Sequence, residues 1–146
     1  MKFYRTIKNT ILSLLAKRTV GVRALIIRDD QVLLVRHTYQ PQWYTVGGAV
    51  EVGESPLQAI KREIMEEVGV MNSEPKLLSV FYSRLEKRDD YIVFYLIHPH
   101  QFEDVKSAEI LEKKWFPLNK LPADTSPATR RRVDEYLGKL EASDVW

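Results

Sequence analysis

Between Ser55 and Gly69 the chain encodes a helix with two adjoining faces of opposite chemistry. Ser55 can cap its start, Pro56 suits the first helical position, and Gly69 can take the left-handed conformation that closes a helix. At about 100° per residue, Leu57, Ile60, Ile64 and Val68 fall on one stripe, which must turn towards a core. Glu63, Glu66 and Glu67 gather on the adjacent face at spacings of three and four. Such neighbours repel by roughly 0.2–0.5 kcal/mol per pair when exposed, and by more when partly buried. A hard divalent cation reverses that sign, and magnesium favours oxygen donors with positions left open for water and phosphate. A solvated acidic face is the plain alternative for the trio by itself. Arg62 stands one turn before Glu66 and can grip a carboxylate in a two-pronged bond, with Glu54 at the helix entry as the other partner. Gly47, Gly48 and Gly53 let the backbone ahead of the helix come close to a metal or phosphate.

Around this helix the sequence reads mainly as strands. Val20 to Arg28 is apolar and β-branched, Asp29-Asp30 makes a turn, and Gln31 to Arg36 returns as a buried strand. Tyr39 to Tyr44 is a loop rich in aromatics. Lys76 to Leu85 and Tyr91 to His98 form a hairpin with a charged tip at Lys87 to Asp90, and Lys114 to Leu118 is a short edge strand. Thr125 and Ser126 precede Pro127, which opens a last helix to about Leu140 with Val133, Tyr136, Leu137 and Leu140 on its buried side. Strands, helix, strands, helix imply an α/β (α+β) fold, a mixed central sheet with helices on both faces. No glycine pattern of the dinucleotide-binding or P-loop type occurs.

Composition narrows the functional classes. The 146 residues are 45% hydrophobic and 29% charged, which suits one globular domain and argues against disorder. A net charge of +2 is too small to announce a nucleic-acid binder. The chain holds no cysteine, which removes disulfides, thiolate metal sites and cysteine nucleophiles, and is compatible with a cytoplasmic setting. His37, His98 and His100 have no metal-ligand spacing and read as structural or surface residues. Residues 1–18 form a separate amphipathic segment ahead of a domain at 19–146. Ile7, Ile11, Leu14 and Leu15 share a face among Lys2, Arg5, Lys8, Lys17 and Arg18, and the apolar stretch ends after about seven residues, the shortest limit for a secretory signal. It suits packing on the domain or a partner, or weak contact with a membrane surface.

Gly48 to Val70, GAVEVGESPLQAIKREIMEEVGV, resembles the Nudix box at every defined position: Gly48, Glu54, Arg62, Glu63, Ile64, Glu66, Glu67, Gly69 and Val70. At residue frequencies of roughly 5–7%, such a match arises by chance on the order of 10⁻⁹ per window. Val20 to Arg36 resembles the family's first strands, and Glu109 to Pro122 its downstream segment with an acid ahead of Trp-Phe and Leu-Pro. Members often have proline where this chain has Val46, which keeps an extended backbone easily.

The resemblance implies a Nudix-like α/β/α sandwich and hydrolysis of a diphosphate linkage in a small-molecule nucleotide. Mg2+ is the implied cofactor, with Mn2+ as its substitute. Glu66 and Glu67 would ligate the metal near the Gly48 carbonyl. Glu63 would ligate a second ion or serve as the base, and Arg62 with Glu54 would orient the glutamates. Glu109 is preferred to Glu112 as a further acid. For substrate contacts, Arg23 and Arg36 could hold phosphates, and Trp43 and Tyr44 could stack on a base or close the loop over the core. The Arg130-Arg131-Arg132 run reads as a solvated face. Missing substrate signatures lean towards nucleoside triphosphates, oxidised ones included. Three alternatives stay open: an RNA 5′-end pyrophosphohydrolase tracking its backbone with Arg130 to Arg132 or Lys113-Lys114, a non-catalytic nucleotide sensor, and a membrane-peripheral hydrolase. No nucleic-acid partner is expected, and the oligomeric state, a homodimer included, is open.

Overall fold

The computed structural model describes residues 18–85 and 88–146, so the amphipathic segment and the tip of the charged hairpin lie outside the described residues. The first strand, β1 (Arg18–Arg28), runs through the centre of the sheet. It turns at Asp29 and Asp30, both with positive φ, into β2 (Gln31–His37). Next come β3 (Val46–Ala49), α1 (Pro56–Val68), β4 (Val70–Met71), β5 (Lys76–Leu85) and β6 (Arg88–Ile97). The chain ends through β7 (Gln101–Phe102), β8 (Ile110–Pro117) and α2 (Pro127–Tyr136).

The main sheet has the order β5-β6-β1-β2-β8, with β3 also paired to β1. β1 lies parallel to β6 and antiparallel to β2 and β3, so the sheet is mixed as the sequence implies. Its pairing on one edge is divided. Ile27 and Arg28 pair with β2, whereas Gly21 to Ala24 pair with β3, so β2 and β3 diverge like the tines of a fork.

Alternation along the strands builds two cores. Val22, Ala24 and Ile26 of β1 join Leu33 and Val35 against Ala59, Ile60, Ile64 and Val68 of α1. Leu25 and Ile27, pointing the other way, pack with Phe81, Phe94 and Trp43 against Val133 of α2. A helix on each face of one sheet is the layered arrangement expected.

Both helices among the described residues start on serine. Ser55 accepts from the Gln58 N–H while its own N–H donates to the Gln58 side chain, and Ser126 accepts from the Thr129 N–H. Gly69 closes α1 at φ 75°, and a Cβ there would lie 2.0 Å from the Glu103 carbonyl oxygen. α2 ends at Tyr136, short of the expected Leu140, because Gly138 turns left-handed at φ 71°. Tyr136 and Leu140 are therefore exposed, and Leu57, in the first turn of α1, is exposed as well. Val46 opens β3 opposite Ala24, buried in the first core.

Two further corrections concern side chains. Trp43 lies in the second core, 4% exposed, with Phe116 edge-on at 4.8 Å and the Arg36 guanidinium 4.5 Å from its ring. It closes the loop and presents no open platform for a base. The Arg130-Arg131-Arg132 run is not a solvated stripe either. Arg130 donates to the Pro122 carbonyl and Arg131 to that of Trp146. Arg132, buried, donates to the Val145 carbonyl and to Glu135, with its guanidinium 3.9 Å from the centre of the Phe81 ring.

Candidate active site

The fork in the sheet leaves β3 under α1, and glycine makes the approach close. A Cβ on Gly48 would stand 2.5 Å from Oε1 of Glu63, so Glu63 lies directly over β3. At the neighbouring position the Gly47 N–H donates to Oε2 of Glu67 at 3.3 Å. α1 thus lays two of its carboxylates on the paired glycines of β3.

Arg62 organises the entry to the helix. Its Nε and Nη2 hold the two oxygens of Glu54 at 2.8 and 3.0 Å, a two-pronged pair. Nη1 holds Oε1 of Glu63 at 2.7 Å, and Nη2 also reaches the Ala49 carbonyl at 3.1 Å. Glu66 stands farther off, at 3.6 Å. The Glu51 N–H also donates to Oε2 of Glu54, at 3.0 Å. One guanidinium therefore ties the loop after β3 to α1 and aims Glu63.

Glu67 carries the strongest electrostatic conflict. It is 5% exposed, and burial lifts its carboxyl from the ordinary range to about 8. Arg23 opposes that lift, and the charges of Glu63 and Glu109 add to it. Burial also raises Glu63, against the bond from Arg62. Arg23 is engaged with the carbonyl oxygens of Gly47 and Thr45, at 3.3 and 3.4 Å, and acts on Glu67 through its field alone.

A hard cation suits this group. Its donors are carboxylates, one is nearly sealed from water, and its charge is opposed by the surrounding protein. Among the described residues no three acidic or imidazole side chains already converge as a cage.

The rim gathers residues from distant segments. Glu109 is exposed at the entry to β8, and its backbone carbonyl accepts from the Thr38 N–H. Its charge acts on both Tyr39 and Glu67, whereas Glu112 pairs in register with Arg36 on β2. Arg36 is committed to Asp124 at 2.6 Å and covers Trp43. Tyr44 turns its hydroxyl to Gln42 at 3.2 Å, with its ring 5.8 Å from His37.

His37 and Tyr39, which the sequence reading did not place at the candidate site, lie close to its charged groups. His37 is 5% exposed, its Nδ1 has no hydrogen-bond partner among the described residues, and burial together with Arg23 lowers its pKa. Tyr39 lies 5.2 Å from the imidazole and within the fields of Glu109, Arg23, Glu67 and Glu63. The available signal was position: both sit at the end of β2, in the loop that leads to Gly47 and Gly48.

With this geometry in place, similarity to known proteins falls on the same elements. The NUDIX domain model matches residues 17–137, and the chain belongs to this family. Diphosphoinositol polyphosphate phosphohydrolase 3-alpha of Mus musculus is 34% identical over 94 residues, 62% of this chain and 57% of that protein. The chain thus spans little more than half the length of that relative. A candidate 8-oxo-dGTP diphosphatase of Bacillus subtilis (strain 168) is 29% identical over 128 residues, 87% of this chain and 84% of the relative. Among solved structures, the MutT NUDIX hydrolase from Burkholderia pseudomallei superposes with a TM-score of 0.69 at 29% identity, covering 80% of this chain and 96% of that one. Among the described residues no helix is long and apolar enough to cross a membrane.

Proposed function

We propose that this chain hydrolyses a diphosphate linkage in a small nucleoside diphosphate derivative with Mg2+, or Mn2+ in its place. Nucleoside triphosphates, oxidised ones included, are the preferred substrates. The observation that carries the reading is Glu67, a carboxyl 5% exposed on α1 that accepts from the Gly47 N–H of β3; its burial pushes it up to about 8. A fold keeps so opposed a charge where a cation will use it. Glu66 and Glu67, with the Gly48 carbonyl, would hold the metal, and Glu63 would take a second ion or accept the proton of the attacking water. When bound, the ion supplies charge stabilisation at the phosphate oxygens and lowers the pKa of coordinated water.

The rest belongs to the chain's own groups. Arg62 clamps Glu54 and aims Glu63, acting as a positioning residue. Arg23 stands ready to bind a phosphate in exchange for the Thr45 and Gly47 carbonyls, and Tyr44, beside His37, is the remaining aromatic candidate for a base. Glu109 closes the rim as the further acid. A nucleotide is favoured over an inositol phosphate because the relative matched along most of its length carries a nucleotide in its name, whereas the diphosphoinositol relative is matched over little more than half.

The test is a panel of nucleoside triphosphates, 8-oxo-dGTP and nucleoside diphosphate derivatives incubated with Mg2+, read out as released phosphate and mononucleotide. Glu67→Gln should lose at least about 10²-fold in rate while folding normally, the scale seen when a transition-state contact is removed. Wild-type turnover in that variant would overturn the metal assignment.

A further inference from the structure

The loop between β2 and β3 holds an open aromatic ring that the proposed reaction leaves unused. Its first turn is pinned on both sides. The Thr38 N–H donates to the Glu109 carbonyl at 3.0 Å, and the Gln40 N–H donates to the His37 carbonyl at 3.4 Å. Tyr39 stands at the corner between them, 67% exposed, the most open aromatic side chain among the described residues. An aromatic ring kept in water at a pinned corner forgoes the burial that is its main contribution to a fold. Nor is the corner remote from the candidate site. The charges of Glu109, Arg23, Glu67 and Glu63 all act on the Tyr39 hydroxyl.

The ring is supported from within the domain. It packs on the His37 imidazole, with centroids 5.2 Å apart and planes tilted by 33°, and Tyr44 stands 5.8 Å from the same imidazole. His37 is buried, and its Nδ1 has no hydrogen-bond partner among the described residues. What this position supplies to its neighbours is therefore a flat ring, not a polar contact. Trp43 is closed off under Arg36, and Tyr44 is half-buried, so Tyr39 presents the open face of the loop.

We propose that Tyr39 is a specificity-determining residue on which the base of the nucleotide stacks, and that His37 is the positioning residue that holds its ring in place. The proposal rests on the nucleotide reading and extends it to the group beyond the phosphates. Every base has a π face, so a platform of this kind selects bases over saturated rings and tolerates one base in place of another. A sugar or an inositol gains nothing comparable from it. Arg23 acts on both Glu67 and His37, which suits a group that holds the phosphates between metal and base.

Binding is measured with dGMP and with deoxyribose 5-phosphate, its base-free counterpart, both in Mg2+. The wild type should bind dGMP at least about 10-fold more tightly, the scale of one base stacked on one aromatic ring. The purine ring protons should move upfield in the NMR spectrum through the ring current of Tyr39. Tyr39→Leu should remove both the preference and the shift, and Tyr39→Phe should keep both. His37→Phe retains the ring and should match the wild type, whereas His37→Ala should weaken dGMP and leave deoxyribose 5-phosphate unchanged. Equal losses for the two ligands would make both residues structural and overturn the proposal. So would wild-type affinity for dGMP in Tyr39→Leu, or a wild type that does not distinguish the two ligands.

Turnover separates this proposal from the reading beneath it. Tyr39→Leu should raise KM for nucleotides about 10-fold with kcat within about twofold. Equal KM values in the two proteins would sink the subsite and leave hydrolysis standing. A chain that holds dGMP on Tyr39 and hydrolyses no member of the panel would sink the proposed function and leave the subsite.

Discussion

Replacing Glu67 by glutamine separates the charge of that side chain from its shape. In the metal-free protein Glu67 titrates near 8, against an ordinary value of 4.5. Between those values the folded state keeps a proton that the unfolded chain has released. The stabilisation is therefore complete below pH 4.5 and is lost as pH rises through 8. From pH 6 to pH 9 the two units below the folded value are crossed at 1.36 kcal/mol each, a loss of about 3 kcal/mol. For a chain of this size that is roughly 6–12 °C in melting temperature. The glutamine keeps an oxygen for the Gly47 N–H and carries no charge, so this component should vanish. The assay is thermal unfolding in EDTA at several pH values, taken as the difference between the two proteins so that other titrating groups cancel. Excess Mg2+ at pH 8.5 should restore the wild type and leave the variant unchanged. Parallel pH curves would refute the reasoning, because the fold would then not oppose a charge on Glu67.

The adjacent glycines should separate function from folding. Gly48→Ala meets only the flexible end of Glu63, so it should fold but turn over at least about 10-fold more slowly; unchanged turnover would remove Glu63 from the chemistry. Gly47→Ala puts a Cβ 2.0 Å from the Val22 carbonyl oxygen, a backbone conflict, and should cost about 3 kcal/mol or more in denaturant unfolding, with a loss under 1 kcal/mol counting against it. Arg132→Met keeps bulk but removes the donors to the Val145 carbonyl and to Glu135, leaving Glu135 only the Ser143 N–H, and should cost about 3 kcal/mol by the same measurement. A neutral result there would mean that the buried guanidinium does not hold the final segment.

The parts of the fold legible in the sequence were those with strong local patterns. β1 and β2 announced themselves by β-branched runs, and α1 by its stripe, its serine-proline entry and its glycine stop. The site glutamates and the Arg62–Glu54 pair were legible because all lie on or beside that helix. What escaped depends on distant partners. β3, β4 and β7 are four, two and two residues long, too short for any period to show. Trp43 looked like a loop aromatic, but Phe116 of β8, far along the chain, makes its pocket. Arg132 looked like one charge among three, until Phe81 and Val145 enclosed it. His37 lacked a metal spacing, and only the packing of Tyr39 and Tyr44 brings it to the rim.

Because β1 hands its edge from β2 to β3 partway along, the two carboxylates that meet the glycines of β3 and the arginine that clamps one of them come from one uninterrupted stretch, Gly47 to Glu67. Arg23, His37, Tyr39 and Glu109 come from the surrounding walls. That division gives the stretch an internal clamp, Arg62 on Glu54 and Glu63, while Arg23 and Glu109 act on Glu67 from the walls. On the proposed function, changes in loop 38–45 and in the segment before β8 would alter the leaving group admitted and keep the proposed reaction.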